Sequence, residues 1–203
     1  MTVKGVLPQD VLPKKELTGA PTFSKWNDTS SDGSSSKLVP QGSSAGAIPN
    51  VKPFNFGRDP GGPKDKTLYL TIPVMGLSGV PVYNSTSEES LTKSTVHIPA
   101  TGFPWQKGAN AYIAGHRIGY TGTGSLYIFY DLDKLQKGDE ILLKDSKGGE
   151  YYYKVDKKEV VSPSNVEVMS PVAGKSIVTL QTCTLPNYKK RLIIQGELVK
   201  KTS

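Results

Sequence analysis

The stretch SIVTLQTCTLPNYKKRLIIQGELV, Ser176 to Val199, holds two apolar, β-branched runs joined by the short segment Thr184–Lys190. In a strand, successive side chains point to opposite faces. Counting back from Cys183, one face carries Gln181, Thr179 and Ile177, and the other Thr182, Leu180 and Val178. In the second run Arg191 shares a face with Ile193, Gln195 and Glu197, while Leu192, Ile194 and Leu198 face away. So short a connection predicts neighbouring antiparallel strands. Cys183 and Arg191 are then expected side by side at one end of a sheet.

Similar runs lie upstream. TLYLTIPVMGL (Thr67–Leu77), GVPVY (Gly79–Tyr83), NAYIAGH (Asn110–His116), DEILLKD (Asp139–Asp145) and YYYKVDKKEVV (Tyr151–Val161) are short, rich in strand formers and bounded by Gly, Pro or Asp. SKGGE between the last two is a hairpin turn signal. Only SLYIFYDLDKLQKGD (Ser125–Asp139) suggests a short helix, with Leu126, Phe129, Leu132 and Leu135 near three-residue spacing and Gly138 as a stop. About eight closely spaced strands predict an all-β barrel or sandwich.

Composition changes near residue 65. Asp28–Lys66 is dominated by Ser, Gly and Pro without periodicity, which is linker chemistry. Residues 1–65 are therefore read as an extension or linker and 66–203 as one domain. Within the extension, VLPKKELTG (Val11–Gly19) places a Leu-Pro pair before a Thr-Gly pair, and spacer and lid are both open readings of it. Net charge is +7, from 25 Lys and Arg against 18 acids. Such a charge fits a solvated surface or attraction to an anionic surface such as a cell wall. No basic cluster is interleaved with exposed aromatics, so nucleic acid is not expected as a partner. No run of 18 apolar residues is present, and no export leader follows Met1. The chain is read as cytosolic, or as exported with its anchoring segment outside this sequence.

A single cysteine cannot form an internal disulfide. Cys183 is either a buried small hydrophobe or a reactive thiol. A cysteine nucleophile needs a proton-transfer partner, and the chain has two histidines. His116 ends a strand and opens the Gly-rich loop RIGYTGTGS, where functional groups gather. His97 lies in TVHIPATGFPW, among short apolar residues before a Pro turn.

Together these residues form a recognisable pattern. TLQTC (Thr179–Cys183) resembles the TLxTC signature of sortases, AGHR (Ala114–Arg117) resembles the segment bearing that family's histidine, and RLII (Arg191–Ile194) resembles its arginine strand. The order His, Cys, Arg matches, and VPVYNSTSEESL, GANAYIAGHR and FYDLDKLQKGDEI are also family-like. The resemblance covers roughly Thr67 to Val199 and looks most like class E, with class D next. It implies a closed eight-stranded sortase-type β-barrel with one or two short helices.

It also implies a cysteine transpeptidase on the extracellular face of a Gram-positive-type membrane, held by an N-terminal anchor absent from this sequence. Such enzymes cut an LPxTG or LAxTG-like motif between Thr and Gly, hold the new C-terminus as a thioacyl-enzyme and pass it to an amine. The implied partners are secreted proteins with a C-terminal sorting motif and a peptidoglycan precursor or another amine. By the same resemblance Cys183 is the nucleophile, His116 the acid and base, and Arg191 the oxyanion or substrate donor. Thr182 is implied near the substrate, and Val166, Val168, Met169 and Val172 in the loop SPSNVEVMSPVAGK are implied to wall its apolar groove. The pilus branch carries an Asp-Pro-aromatic lid; here RDPGG (Arg58–Gly62) has Gly in the aromatic place. Glu88, Glu89 and Glu167 have no spacing that demands a metal, and no cofactor is expected. The rivals are a pilin-polymerising sortase, a simple cysteine hydrolase, and a β-barrel binding module with an incidental thiol.

Overall fold

A computed structural model describes residues 52–202. The extension expected over residues 1–65 lies largely outside the described residues, and VLPKKELTG lies wholly outside them. The described chain forms strands β1 (Leu68–Ile72), β2 (Leu77–Asn84), β3 (Thr95–His97), β4 (Asn110–Ala114), β5 (Glu140–Asp145), β6 (Glu150–Val161), β7 (Ile177–Cys183) and β8 (Arg191–Thr202), with helix α1 at Glu88–Lys93. They close a barrel in the order β1-β2-β3-β4-β7-β8-β6-β5. The expected all-β, eight-stranded barrel is therefore present.

Closure rests on alternation. In β5 and the first half of β6 every second residue is buried, and Ile141, Leu143, Tyr151, Tyr153 and Val155 fill the interior with Leu70, Val178, Leu180 and Ile194. Gly196 makes room for one of them: a Cβ there would come within 3.2 Å of the Tyr153 Cβ. A second apolar cluster lies on the outer face, where Leu91, Val96, Ile98, Tyr112, Ala114, Val168, Met169 and Ile193 pack together. Strand β4 is buried along its whole length because it is covered on both sides.

Two strand pairs are parallel, β2 with β3 and β4 with β7. Parallel neighbours need a crossover. Helix α1 supplies the first. Ser87 caps it by accepting from the Ser90 N–H, Glu88 and Glu89 fill its first turn, and Lys93 pairs with Glu89 at 2.6 Å. The second crossover contains β5 and β6.

The local expectations needed correction: neither α1 nor β3 was among the expected elements, and two expected stretches fold differently. TLYLTIPVMGL is not one strand, because Pro73 opens a 3-10 turn and Gly76 turns left-handed at φ 67, folding β2 back onto β1. The helix expected over Ser125–Asp139 is reduced to one 3-10 turn at Leu132–Lys134. Phe129, Leu132 and Leu135 are buried, so their spacing records a path of turns over the barrel core.

The described residues before β1 lie along the loop that follows β3. The Phe54 N–H donates to the Ala100 carbonyl at 2.8 Å, and Trp105 Nε1 donates to the Pro60 carbonyl at 3.0 Å, which holds RDPGG against this loop. His97 anchors the same region from inside. It is fully buried, with Nδ1 3.0 Å from Asn84 Oδ1 and Nε2 2.9 Å from the Gly102 carbonyl.

Burial pushes the His97 pKa down from 6.5 to about 4, and that of His116 likewise. Between those values the unfolded chain binds the extra protons, so this contribution to stability is present above pH 6.5 and is lost as pH falls towards 4. The melting temperature should therefore drop across that window. In His97→Gln the drop should be shallower, as scanning calorimetry of both proteins at each pH would reveal. Parallel curves for the two would mean that the ring is not held neutral by the fold.

Candidate active site

The register of β7 and β8 places Cys183 directly opposite Arg191, as the short connection predicted. Strand β4 runs parallel to β7 on its other side, with Ala114 beside Gln181, and the Gly115 N–H continues the ladder to the Gln181 carbonyl at 3.0 Å. His116 follows Gly115, and Cys183 lies two residues after Gln181, so both stand at the same end of their strands. Three strands separated in sequence thus bring His116, Cys183 and Arg191 to one end of the barrel. Gly115 permits the approach, because a Cβ there would lie 2.6 Å from the Phe129 ring.

All three side chains are buried: His116 is 1% exposed, Cys183 2% and Arg191 8%. Burial disfavours charge on each titrating group. The Cys183 thiol is pushed above its ordinary value by desolvation, and the nearby Arg191 charge pulls it part of the way back. His116 is pushed down to about 4 by desolvation. At neutral pH the resting pair is a thiol and an imidazole. Arg191 is held by its own loop, with Nη1 donating to the Tyr188 and Lys190 carbonyls at 3.0 and 3.1 Å. Arg117, next to His116, is engaged elsewhere, with Nη2 2.8 Å from Asp133.

His116 has neighbours that the sequence did not single out for this place. Glu88, on α1, lies with Oε1 3.9 Å from His116 Nε2 and accepts from the Tyr120 hydroxyl at 3.2 Å. The Tyr120 ring stands edge-on to the imidazole at 5.4 Å. Desolvation raises the Glu88 carboxyl pKa, and its Oε2 is buried with no hydrogen-bond partner among the described residues. The available signal was the Ser87-Glu88-Glu89 helix start, which fixes where the first turn of α1 begins.

The residues expected at the substrate fall into three groups. Thr182 pairs with Leu192, is 0% exposed and occupies the barrel-facing row, so its side chain does not share the face of Cys183. Val168 and Met169 are buried in the outer-face cluster. Val166 and Val172 are 38% and 40% exposed and flank that buried pair in the same loop. A separate depression of about 360 Å³, lined by Leu77, Tyr83, Lys93 and Tyr127 among others, includes none of the three site residues. Among the described residues no group of His, Cys, Asp and Glu could hold a metal ion, and no helix is long and apolar enough to cross a membrane.

Because Arg191 is the charge that lowers the Cys183 pKa, alkylation should report it. Iodoacetamide should modify Cys183 more slowly at pH 7 than it modifies free cysteine, with a rate that climbs above pH 9. Arg191→Ala should move that climb to still higher pH. An unchanged profile in the variant would show that Arg191 does not act on the thiol.

The description "Sortase domain" belongs to the family model that matches residues 70–199. Sortase A of Streptococcus agalactiae is 38% identical over 95 residues, 46% of this chain and 38% of that protein. Sortase A of Bacillus anthracis is 33% identical over 131 residues, 64% of this chain and 58% of that protein. The chain thus spans less than two thirds of the length of these curated relatives. Among solved structures, the Group B Streptococcus Pilus Island 1 sortase C2 superposes with a TM-score of 0.61 at 29% identity, covering 68% of this chain and 77% of that one.

Proposed function

The chain belongs to the sortase family, and from that premise we propose that it is a cysteine transpeptidase acting on a C-terminal sorting motif, with Cys183, His116 and Arg191 as its catalytic residues. The observation that carries this reading is the pairing of Cys183 with Arg191, with His116 two residues beyond the end of the adjoining strand β4.

The chemistry follows from the protonation states. Cys183 transfers its proton to His116 and attacks the carbonyl carbon of the motif's Thr. The carbon–sulfur bond forms and the bond to the Gly nitrogen breaks. His116 protonates that nitrogen, since an amine leaves poorly as an anion. The acceptor amine then attacks the thioester, His116 takes its proton, the new amide forms and sulfur departs. Arg191 offers guanidinium donors to the developing oxyanion or to the substrate's carbonyls; removing such a donor typically costs about 3–4 kcal/mol. Its Nη1 bonds to Tyr188 and Lys190 keep the group preorganised.

In this proposal residues 66–203 are the catalytic unit and residues 1–65 a tether. The enzyme would act at the extracellular face of the membrane. The substrates are secreted proteins ending in an LPxTG or LAxTG-like motif, and the acceptor is a peptidoglycan-precursor amine. The motif-like stretches point to class E. Thr182 contributes through its backbone rather than its hydroxyl, and Val166 and Val172 meet the motif's apolar half over the support of Val168 and Met169. A second reading, pilin polymerisation, draws on the likeness to the pilus-island sortase C2. The missing aromatic in RDPGG counts against it.

Intact-mass analysis across a panel of LPxTG and LAxTG peptides should detect a thioacyl adduct on the wild type. No adduct should form on Cys183→Ala, and turnover by that variant would remove the mechanism. Without an added amine the product should be hydrolysed peptide. With a cell-wall-type amine or a pilin lysine peptide, whichever is joined separates the two readings.

His116→Ala should lose on the order of 10²–10⁴ in rate, and His97→Ala much less. Arg191→Lys should fall well below wild type in kcat/KM with little change in stability, because Lys lacks the planar fork. Equal kcat/KM for Arg191 and Lys would reduce the residue to generic charge.

A further inference from the structure

Asn110 opens β4 and is 0% exposed. Its carboxamide is fully engaged by groups from two other parts of the fold. Oδ1 accepts from the Thr179 hydroxyl at 2.8 Å. Nδ2 donates to the Val168 and Ser170 carbonyls at 3.0 and 3.1 Å. Thr179 Oγ1 in turn accepts from Gln195 Nε2 at 3.2 Å. A relay therefore runs from β8 through β7 and β4 to the loop between β6 and β7. Thr179 and Gln195 are register partners, on the same strands and the same face as Cys183 and Arg191.

We propose that Asn110 is a positioning residue for substrate selection: it fixes the loop of residues 162–175 against the Cys183–Arg191 strands and so sets the width of the groove that takes the apolar half of the motif. This rests on the transpeptidase reading above. Both amide hydrogens go to the loop, at carbonyls on either side of Met169. Val166 stands two residues before that clamp and Val172 two residues after it, and both are large, exposed apolar side chains. The hydrogen-bond demand is specific, with one acceptor for Thr179 and two donors for two carbonyls, which a carboxamide of this length satisfies. Aspartate would set a carboxylate against both loop carbonyls. Alanine would leave the buried Val168 carbonyl without this donor, where an unmade bond is costly. The outer-face packing of Val168 and Met169 keeps the loop near the barrel. Packing is non-directional; Lys175 ties the end of the loop to Glu197 on β8 at 2.6 Å, and the register of its middle turn, around Met169, falls to the Asn110 bonds.

The test uses the full chain with Asn110→Ala and Thr179→Val. Hydrogen exchange should show the amides of Met169, Ser170 and Lys175, which close turns within the loop, exchanging about tenfold faster in Asn110→Ala. KM for the preferred motif peptide should rise about tenfold, equivalent to about 1.4 kcal/mol, while kcat stays near wild type. Discrimination between LPxTG and LAxTG peptides should narrow. Thr179→Val, which keeps both bonds to the loop, should move the same quantities in the same direction by less, and it decides the matter if Asn110→Ala does not fold. Loop exchange and KM at wild-type values in a folded Asn110→Ala would overturn the proposal, as would a loss confined to kcat. If wild type forms no thioacyl adduct, the transpeptidase reading fails and the groove role with it. The exchange data would then still report whether the clamp exists.

Discussion

The antiparallel pairing of β7 with β8 sets Cys183 against Arg191 and, in the same register, sends Val178, Leu180, Leu192 and Ile194 into the barrel. A slip of one residue would reverse every one of these assignments, because strand side chains alternate with a period of two. The apolar interior therefore enforces the geometry of the polar end. The seven pairs from Ile177 to Cys183 run without a shift, whereas the irregularities of β8 fall where it meets β6, at Tyr152/Tyr153 and Val155/Lys157. Bulges add twist and help a sheet curl into a barrel, and here they do so on the side of β8 away from the thiol.

A second constraint is burial at the site itself. Desolvation moves Cys183 and His116 in opposite directions, and both shifts favour neutral forms. Arg191 opposes this for the thiol. Glu88 lies within ion-pair distance of the imidazole and is itself destabilised as an anion by burial. The charges that the proposed reaction needs are thus held back in the resting protein. In the proposed reaction they would appear when substrate dipoles add to the Arg191 charge already beside the thiol. Burial shields the thiol from solvent while leaving it opposite Arg191.

Much of this was legible in the sequence because strand chemistry is local. The alternation in SIVTLQTC and RLIIQGELV and the short Thr184–Lys190 link were enough to expect Cys183 beside Arg191. The place of His116 was not derivable from spacing, since β4 pairs with β7 across two intervening strands; the resemblance pointed to it, and the parallel pairing sets the end of β4, just before His116, beside the end of β7. Strand β3 was missed because three residues between a helix and a Pro turn carry too little pattern. Leu126, Phe129, Leu132 and Leu135 imitated a helical stripe because turns over a barrel core also bury residues at intervals of about three. The Asn110 relay was illegible for a different reason: a buried carboxamide joins partners far apart in the chain, 58 residues to Val168 and 69 to Thr179. No local window contains both ends.

The parallel contact between β4 and β7 also bears on how the chain reaches this state. Asn110 meets Ile177 and Ala114 meets Gln181 only after the intervening hairpin of β5 and β6 has been bridged. Pairings of such long sequence separation form slowly, because loop closure must precede the contacts that reward it. Strands β7 and β8 can find each other early, as a hairpin, but β4 joins them late. Until it does, the thiol stands next to its arginine without the imidazole beside it. Folding order thus acts as a safety catch, under which a chain still being synthesised holds its thiol beside Arg191 without His116, and the three residues come together only with the completed barrel.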